Sequence, residues 1–351
     1  MITLGGGRLV QRTLEGEAWR SAAGSWSRRE ILWLEVEDAQ GVRGRGEACP
    51  LPGYSPDTLE AAGEALEQWL IDPPRALDIR PGPPLLLSGA TCADLPPSAR
   101  CAVECAIIDL AARRAGEPLH RWLGGPAGAS VGCQALVPLL APEAAERRAR
   151  ELWDAGFRTM KVKGGEDFEL EAALLRRLRE SLGAELRLRL DVGGRWSLEQ
   201  ARRHLEQLVP LDLDYVEQPV GGDVMLRVGP SPVALAADES LQDPTLAGEI
   251  LDAGVCAVLV LKPPCLGGPV RTLELIEHAR RRGLRWVLSH TLGSGLERAL
   301  AVELALATGA DTSGLAEHPL LPAEQRPAAW SGPTLPALEH PGLGLEVEDL
   351  R

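Results

Sequence analysis

Three lysines stand out among the residues that could do chemistry. The chain has 37 basic residues, of which only Lys161, Lys163 and Lys262 are lysines, and all the others are arginines. Each lysine lies at or near the end of a run of residues typical of a short β-strand. Lysine can lose its proton near neutral pH when its surroundings lower its pKa, whereas arginine stays charged. The pattern therefore predicts acid–base chemistry for these lysines.

Three acidic residues end the strand-like runs between the lysines: Asp191, Glu217 and Asp238. A carboxylate set without histidine or cysteine favours Mg²⁺, with Mn²⁺ as a substitute, over zinc. An amine near a metal-bound carboxylate is suited to removing the proton beside that group, because the cation stabilises the second negative charge that develops. Three lysines, three carboxylates and a divalent cation leave the site positive, which predicts a small anionic carboxylate substrate.

The elements that position these side chains are predicted to form a parallel α/β barrel. From about residue 130, short strands alternate with amphipathic helices at a spacing of roughly 25 residues, as barrels require. The strand candidates are Val131–Val137, Thr159–Lys163, Leu186–Asp191, Asp214–Glu217, Val233–Asp238, Ala257–Lys262, Leu284–Ser289 and Thr312–Ala316. Side chains at the carboxyl ends of barrel strands converge on one mouth. A doubly wound open sheet is the alternative, but no glycine-rich phosphate loop follows Val137.

The chain is predicted to have three parts. Residues 1–125 form an α+β capping domain, 126–320 form the barrel with the catalytic site, and 321–351 form a proline-rich segment that packs back on the capping domain. Within the first part, Asp38-Ala-Gln-Gly predicts a hairpin turn, and Asp57 is a candidate N-cap of a helix. The barrel connection 221–230 contains three glycines and a proline, which disfavour a regular helix there.

Composition restricts the classes of function. The formal net charge of −13 disfavours binding to nucleic acid or an anionic membrane. No uncharged apolar run approaches the ~20 residues of a membrane span, and the first residues lack the features of a signal peptide. Seven cysteines without a pairing pattern indicate reduced thiols. We therefore expect a cytoplasmic protein, and the oligomeric state stays open.

Motifs along nearly the whole chain resemble the enolase superfamily. They are Gly46-Glu-Ala-Cys-Pro-Leu-Pro-Gly-Tyr-Ser55, Ala102-Val-Glu-Cys-Ala-Ile-Ile-Asp-Leu-Ala111, Gly116-Glu-Pro-Leu-His-Arg-Trp-Leu-Gly124, Lys161-Val-Lys163, Asp191, Tyr215-Val-Glu-Gln-Pro219, Ala237-Asp-Glu-Ser240 and Leu261-Lys-Pro-Pro264. Lysines on both sides of the acids resemble the muconate-lactonizing-like subgroup. The resemblance implies a modified TIM barrel of (β/α)7β type with an N-terminal α+β capping domain.

Within that subgroup the chain is similar to o-succinylbenzoate synthases of menaquinone biosynthesis, partly through Asp191-Val-Gly-Gly-Arg-Trp-Ser197. The resemblance implies dehydration of 2-succinyl-6-hydroxy-2,4-cyclohexadiene-1-carboxylate to 2-succinylbenzoate. It implies Lys163 as the base, Lys161 as support for the enediolate and Lys262 as a cation on the opposite side. It also implies a metal site at Asp191, Glu217 and Asp238. The implied substrate-binding residues are Tyr54, Ser289, Thr291, Gly293 and Ser294.

Three other functions stay open, of which cycloisomerisation of a muconate is less expected. A racemase or epimerase of N-acylamino acids or dipeptides would use Lys163 and Lys262 on opposite faces, and Glu317 is a candidate for binding a dipeptide amine. A non-catalytic protein on this fold is less expected, because no metal ligand or lysine is missing. Gly193 stands where many relatives have an asparagine. His290 is a candidate for substrate contact, and His318 is expected to be structural.

Overall fold

The computed structural model describes residues 2–21, 24–74, 76–81, 85–88, 92–138 and 141–345. The first part of the chain is an antiparallel sheet with helices packed on it. Its sheet runs in the order β1 (Leu4–Ser21), β2 (Gly24–Asp38) and β3 (Arg43–Ala48). The other elements are α1 (Leu59–Ile71), the hairpin of β4 (Asp78–Arg80) and β5 (Leu86–Ser88), α2 (Pro97–Ala115) and α3 (Leu119–Trp122).

Glycines in β3 allow α2 to lie directly on the sheet. A Cβ atom at Gly44 would lie 2.1 Å from the carbonyl oxygen of Ala106, and one at Gly46 would lie 2.0 Å from that of Ala102. Only residues without a side chain fit at these two positions, because a backbone oxygen of the helix occupies the space. This close packing buries the apolar face of α2, including Cys101 and Cys105.

The predicted hairpin at Asp38 is present, and the predicted helix cap at Asp57 is wrong. The amide of Asp38 donates to Val42 O at 3.0 Å across the turn. Helix α1 is capped instead by Thr58, whose Oγ accepts from the amide of Ala61. The Asp57 carboxylate accepts from the amide of Ser98 at 3.0 Å, so it caps the first turn of α2.

A sheet of seven parallel strands follows, in which sequence neighbours are also neighbours in space within the described residues. After β6 (Ser130–Gly132), the strands are β7 (Ala135–Val137), β8 (Thr159–Lys163), β9 (Arg187–Asp191), β10 (Tyr215–Glu217), β11 (Leu235–Ala237), β12 (Val258–Leu261) and β13 (Arg285–Leu288). The helices are α4 (Pro142–Asp154), α5 (Phe168–Leu182), α6 (Leu198–Leu208), α7 (Pro244–Ala253), α8 (Pro263–Leu266), α9 (Pro269–Arg282) and α10 (Gly295–Thr308). The connection from β10 to β11 contains only a short 3-10 helix, Gly222–Arg227, where glycines and a proline disfavoured a regular helix.

Residues 311–314 close the sheet into a barrel, which confirms the predicted modified TIM barrel. The amide of Gly314 donates to Leu288 O, and the amide of Ser313 donates to Gly132 O, each at 2.8 Å. The predicted strand Thr312–Ala316 is reduced to isolated bridges. A physical reason is that the Ser313 hydroxyl itself bonds the amide of Leu288 and the carbonyl of Asp311, in competition with the ladder.

The barrel interior consists of an apolar layer and an ionic layer. The buried side chains that pack together in the apolar layer are Tyr215, Ala236, Val258, Val260 and Val287. Arg189, which is fully buried, donates to Asp214 at 2.7 Å and to Thr312 O at 2.6 Å. Arg187 and Arg285 bind the same aspartate, so the amino-terminal end of the barrel is held by ion pairs.

The last described residues return to the first part of the chain. β14 (Thr334–Pro336) pairs antiparallel with β6. The amide of Leu343 then donates to the buried Asp109 of α2 at 2.8 Å, and Arg113 donates to Leu345 O at 3.1 Å. The rest of the predicted C-terminal part, 346–351, lies outside the described residues. No helix in the described ranges is long and apolar enough to cross a membrane.

Candidate active site

The lysines and acids singled out from the sequence lie at the carboxyl ends of the barrel strands. Lys163 and Asp191 are register partners on β8 and β9, and Asp191 and Glu217 are partners on β9 and β10. Asp238 directly follows β11, and Lys262 directly follows β12. A cavity of about 880 Å³ opens at this end, and all three lysines line it. The structure thus brings these groups together at one mouth.

On one side of the mouth, Lys161 bridges two carboxylates. Its Nζ lies 2.7 Å from both oxygens of Glu217 and 2.9 Å from Asp191 Oδ2. Lys163 Nζ lies 3.0 Å from the same oxygen of Asp191. The side chain of Lys161 is 9% exposed and that of Lys163 is 36% exposed. Lys163 is therefore the amine of the pair that is more accessible from the cavity.

The carboxylates crowd negative charge into this buried space. Burial raises the pKa of Glu217 to about 7, with a further contribution from the charge of Asp191. Burial also acts on Asp191, but Lys161 and Lys163 outweigh it and hold the pKa of that carboxyl below its usual range. Desolvation opposes the charged form of Lys161, yet Asp191 and Glu217 raise its pKa well above the usual value. Lys161 is therefore a permanent cation near neutral pH.

On the other side, a loop of the first part of the chain reaches Lys262. Tyr54, between β3 and α1, accepts a hydrogen bond from Lys262 Nζ at 2.6 Å and donates one to Asp238 Oδ1 at 2.7 Å. Lys262 Nζ also lies 2.5 Å from Asp238 Oδ2. Burial opposes the charge on Lys262, but the pKa of this amine is raised because Asp238 and Glu239 outweigh the burial. The loop and the barrel thus share one hydrogen-bonded triad.

The donor set fits a hard divalent cation. Asp191, Glu217 and Asp238 offer only oxygen atoms, which are the ligands that a hard divalent cation prefers. These carboxylates contact lysine ammonium groups, so binding a cation would exchange part of those contacts.

Elsewhere in the described part of the chain, Glu47, Cys49 and Glu297 have ligand atoms within 4.8 Å of one another. That set is buried, and its carboxylates already accept hydrogen bonds from backbone amides. We therefore place the metal site at Asp191, Glu217 and Asp238 as a proposal.

The amides of the loop after β13 donate to two buried acids. The amides of Thr291 and Gly293 donate to Glu297, at 2.5 and 2.6 Å. The amide of Ser294 donates to Glu47 at 2.9 Å, and its hydroxyl donates to the same carboxylate. These donors are therefore committed to buried acids and are not free for a substrate carboxylate. In this structure these donors hold the loop, and the substrate-binding role of Thr291, Gly293 and Ser294 stays a prediction.

Ser289, His290 and His318 also line the cavity. Ser289 Oγ donates to Gly314 O at 3.3 Å. His290 Nε2 lies 3.0 Å from Ala316 O, and the amide of Leu292 donates to its Nδ1 at 3.3 Å, which assigns the proton to Nε2. Burial lowers the pKa of both His290 and His318. The two rings are therefore neutral at physiological pH, and each is fixed by a backbone carbonyl.

Two details of the site lie beyond what the sequence predicted. The backbone amide of Gly193 donates to Asp191 Oδ1 at 3.1 Å, so this acid has a hydrogen bond from a residue without a side chain. Gln134 and Arg326 also line the cavity, together with Glu317. Gln134 and Arg326 were not singled out from the sequence, because they come from segments far apart in the chain and neither is a charged residue at the end of a predicted strand.

Comparison with known proteins identifies the family. Residues 9–124 match the mandelate racemase / muconate lactonizing enzyme N-terminal domain, and residues 144–350 match the enolase C-terminal domain-like family. An L-Lys-D/L-Arg epimerase of Methylococcus capsulatus is 32% identical over 285 residues, which are 76% of this chain and 77% of the relative. An o-succinylbenzoate synthase of Thermobifida fusca is 36% identical over 195 residues, which are 53% of this chain and 59% of the relative.

The fold agrees with this comparison. The crystal structure of muconate lactonizing enzyme from Pseudomonas fluorescens, complexed with muconolactone, superposes with a TM-score of 0.83 at 21% identity and covers 99% of this chain and 98% of its own. Both parts of the chain are included in that superposition. The two family matches show, and the fold agrees, that the chain belongs to the enolase superfamily, in its muconate-lactonizing-like subgroup.

Proposed function

We propose that this protein is an o-succinylbenzoate synthase, which removes water from 2-succinyl-6-hydroxy-2,4-cyclohexadiene-1-carboxylate with the help of Mg²⁺. The observation that carries the proposal is the meeting of three lysines and three carboxylates at one barrel mouth. The similarity to the synthase of Thermobifida fusca supports this choice of reaction. The cavity, lined by all three lysines, suits an anionic substrate.

Lys163 is the base in this proposal. A base has to reach the substrate, and the Lys163 side chain is 36% exposed to the cavity while its neighbour Lys161 is 9% exposed. Lys163 takes the proton from the carbon that bears the carboxylate, and an enediolate forms. The hydroxyl then leaves from the same face with that proton, so that one C–H and one C–O bond break, a C=C bond forms and water departs.

Lys161 and Lys262 remain charged through this reaction. Lys161, held between Asp191 and Glu217, places a permanent positive charge beside the developing enediolate. Lys262 is fixed by Asp238 and Tyr54 on the other side of the mouth, where an ammonium group attracts the electrons of the substrate ring. When Mg²⁺ is bound by the three carboxylates, it supplies Lewis-acid stabilisation of the substrate carboxylate.

Racemisation or epimerisation of N-acylamino acids or dipeptides is the second candidate. Lys163 ends β8, which is the second of the eight positions around the barrel, and Lys262 follows β12, which is the sixth. The two amines therefore face each other across the mouth. This opposition suits the transfer of a proton from one face of a carbon to the other. The similarity to the epimerase of Methylococcus capsulatus supports this candidate.

A paired assay separates the two functions. Purified protein with Mg²⁺ is incubated with the cyclohexadiene carboxylate, and formation of 2-succinylbenzoate is followed by absorbance. In parallel, deuterium incorporation from D₂O into N-acylamino acids and dipeptides is followed by NMR. We expect rapid dehydration that stops when a chelator removes Mg²⁺. No dehydration, together with rapid deuterium incorporation, would establish the second candidate instead.

A further inference from the structure

The cavity at the barrel mouth has a second group of charges that the proposed reaction does not use. Glu317, after the strand-like segment that closes the barrel, lines the cavity, and so does Arg326. Two guanidinium groups flank this acid. Arg298 Nη1 lies 3.9 Å from Glu317 Oε1, and Arg326 Nη1 lies 3.8 Å from Glu317 Oε2. One negative charge and two positive charges leave this part of the cavity with a net positive charge.

Both guanidinium groups are held in place by backbone oxygens. Arg298 is 1% exposed, and it donates to Leu315 O at 2.9 Å and to Trp330 O at 2.6 Å. Its Nη1 is buried and has no hydrogen-bond partner in the described ranges. Arg326 donates to Leu321 O through Nε at 2.9 Å and also through Nη2. Arg326 Nη1 points toward Glu317 at a distance longer than a hydrogen bond, so it keeps donor capacity.

Two further charged residues on the cavity wall, away from the lysines, lie near solvent. Arg148 of α4 is 52% exposed and donates to Glu151 at 2.9 Å, and Glu17 of β1 is exposed. The side chains of Arg326 and Glu317 are 34% and 27% exposed. An ion pair in this less exposed position is screened less by solvent than one at the rim. The charge next to Glu317 therefore has more influence on a bound ligand.

We propose that Arg326, with Arg298 behind Glu317, recognises a second carboxylate on the substrate and determines the substrate class. This inference rests on the proposed function, because it assumes that a first carboxylate binds among the lysines. It selects dianionic ligands with a distal carboxylate, such as a succinyl group. A distal ammonium group, as in a dipeptide, would meet an acid that two guanidinium groups already neutralise.

Binding of matched ligand pairs tests this inference without relying on turnover. Calorimetry in the presence of Mg²⁺ compares 2-succinylbenzoate with 2-butanoylbenzoate, in which a methyl group replaces the distal carboxylate. A second pair, N-succinyl- and N-butanoyl-phenylalanine, makes the same comparison for the racemase function. The variants are Arg326→Gln, Arg326→Lys and Glu317→Gln, with the exposed Arg281→Gln of α9 as the control.

We expect Arg326→Gln to raise the Kd of the succinyl ligand about tenfold or more and that of the butanoyl ligand less than about twofold, because a charge-assisted hydrogen bond is lost only in the first case. Arg326→Lys should restore part of the loss, and Glu317→Gln should tighten succinyl binding.

Equal effects on both members of each pair would overturn the inference. Weak binding of the benzoates with the contrast preserved in the phenylalanine pair would instead reject only the synthase function. If a dipeptide binds more tightly than the succinyl ligand and Glu317→Gln weakens that binding, Glu317 instead recognises an ammonium group.

Discussion

At the scale of single residues, Lys161 and Lys163 have the same chemistry but different surroundings. Lys161 contacts two acids and Lys163 contacts one in the part of the chain that the structure describes. We predict that Lys163→Ala lowers kcat by about 10³-fold or more, as expected for loss of a general base. Circular dichroism should show an unchanged fold. The exposed Arg281→Ala variant serves as a control, and near-normal turnover by Lys163→Ala would refute the assigned base.

A second prediction concerns the proton on Glu217. The pKa of this acid is raised to about 7, first by burial and then by Asp191, so the group is increasingly protonated as the pH falls below 7. Mg²⁺ needs the carboxylate form, and binding should therefore release a proton below pH 7 and weaken as the pH falls further. Calorimetry in two buffers with different ionisation enthalpies measures the proton released. A Glu217→Gln variant should lose this pH dependence, and the same affinity at pH 6 and pH 8 in the wild type would contradict the assignment.

The sequence predicted the charged residues at the strand ends because parallel strands place such side chains at one edge whatever the loops do. It could not predict the partners of Thr291 and Ser294. Those partners, Glu297 and Glu47, come from a helix and from the first part of the chain, and only tertiary packing brings them to the loop.

At the scale of elements, the loop from β13 to α10 depends on a position without a side chain. A Cβ atom at Gly293 would lie 2.4 Å from Glu47 Oε1, 2.5 Å from Glu297 Oε2 and 2.9 Å from Cys49 Sγ. Gly293→Ala should therefore lower the free energy of unfolding by about 1–3 kcal/mol through overpacking, as measured by urea denaturation.

Gly248→Ala is the matched control for this prediction. Gly248 lies inside α7, and a Cβ atom there meets nothing within 4 Å. The same substitution should leave stability unchanged or raise it by about 0.5–1 kcal/mol, because alanine favours the helix. A similar loss of stability in both variants would show that the buried carboxylates do not restrict the loop.

Element boundaries were predicted less well than element types. The strand predicted at Val131–Val137 is two strands, because residues 130–132 pair with β14 from the end of the chain and Ala135–Val137 pair with β8 of the barrel. Nothing in the apolar pattern of that run encodes a change of partner. The absence of a regular helix in the connection 221–230 was predicted correctly, since glycine and proline act on the local backbone.

At the scale of the whole molecule, ion pairs hold the amino-terminal end of the barrel together. Arg189 joins Asp214 on the loop before β10, Gln134 before β7 and Thr312 in the closing segment. We predict that Arg189→Met lowers the free energy of unfolding by about 3 kcal/mol, because the remaining buried acceptors lose a charged partner.

Urea denaturation provides the measurement, and Arg80→Met is the control. Arg80 is 69% exposed and pairs with an exposed acid, so its loss should cost less than about 0.5 kcal/mol. A stability of Arg189→Met equal to that of the control would mean that the ionic layer contributes nothing to closing the barrel.

Proton removal beside a carboxylate, by Lys163 at a magnesium site, is the central claim about this protein. The most direct measurement compares turnover of 2-succinyl-6-hydroxy-2,4-cyclohexadiene-1-carboxylate with turnover of the same substrate carrying deuterium on the carbon that bears the carboxylate. We predict Mg²⁺-dependent formation of 2-succinylbenzoate that is slower with the deuterated substrate. Formation of product at the same rate from both substrates, and equally fast after removal of Mg²⁺, would contradict the claim.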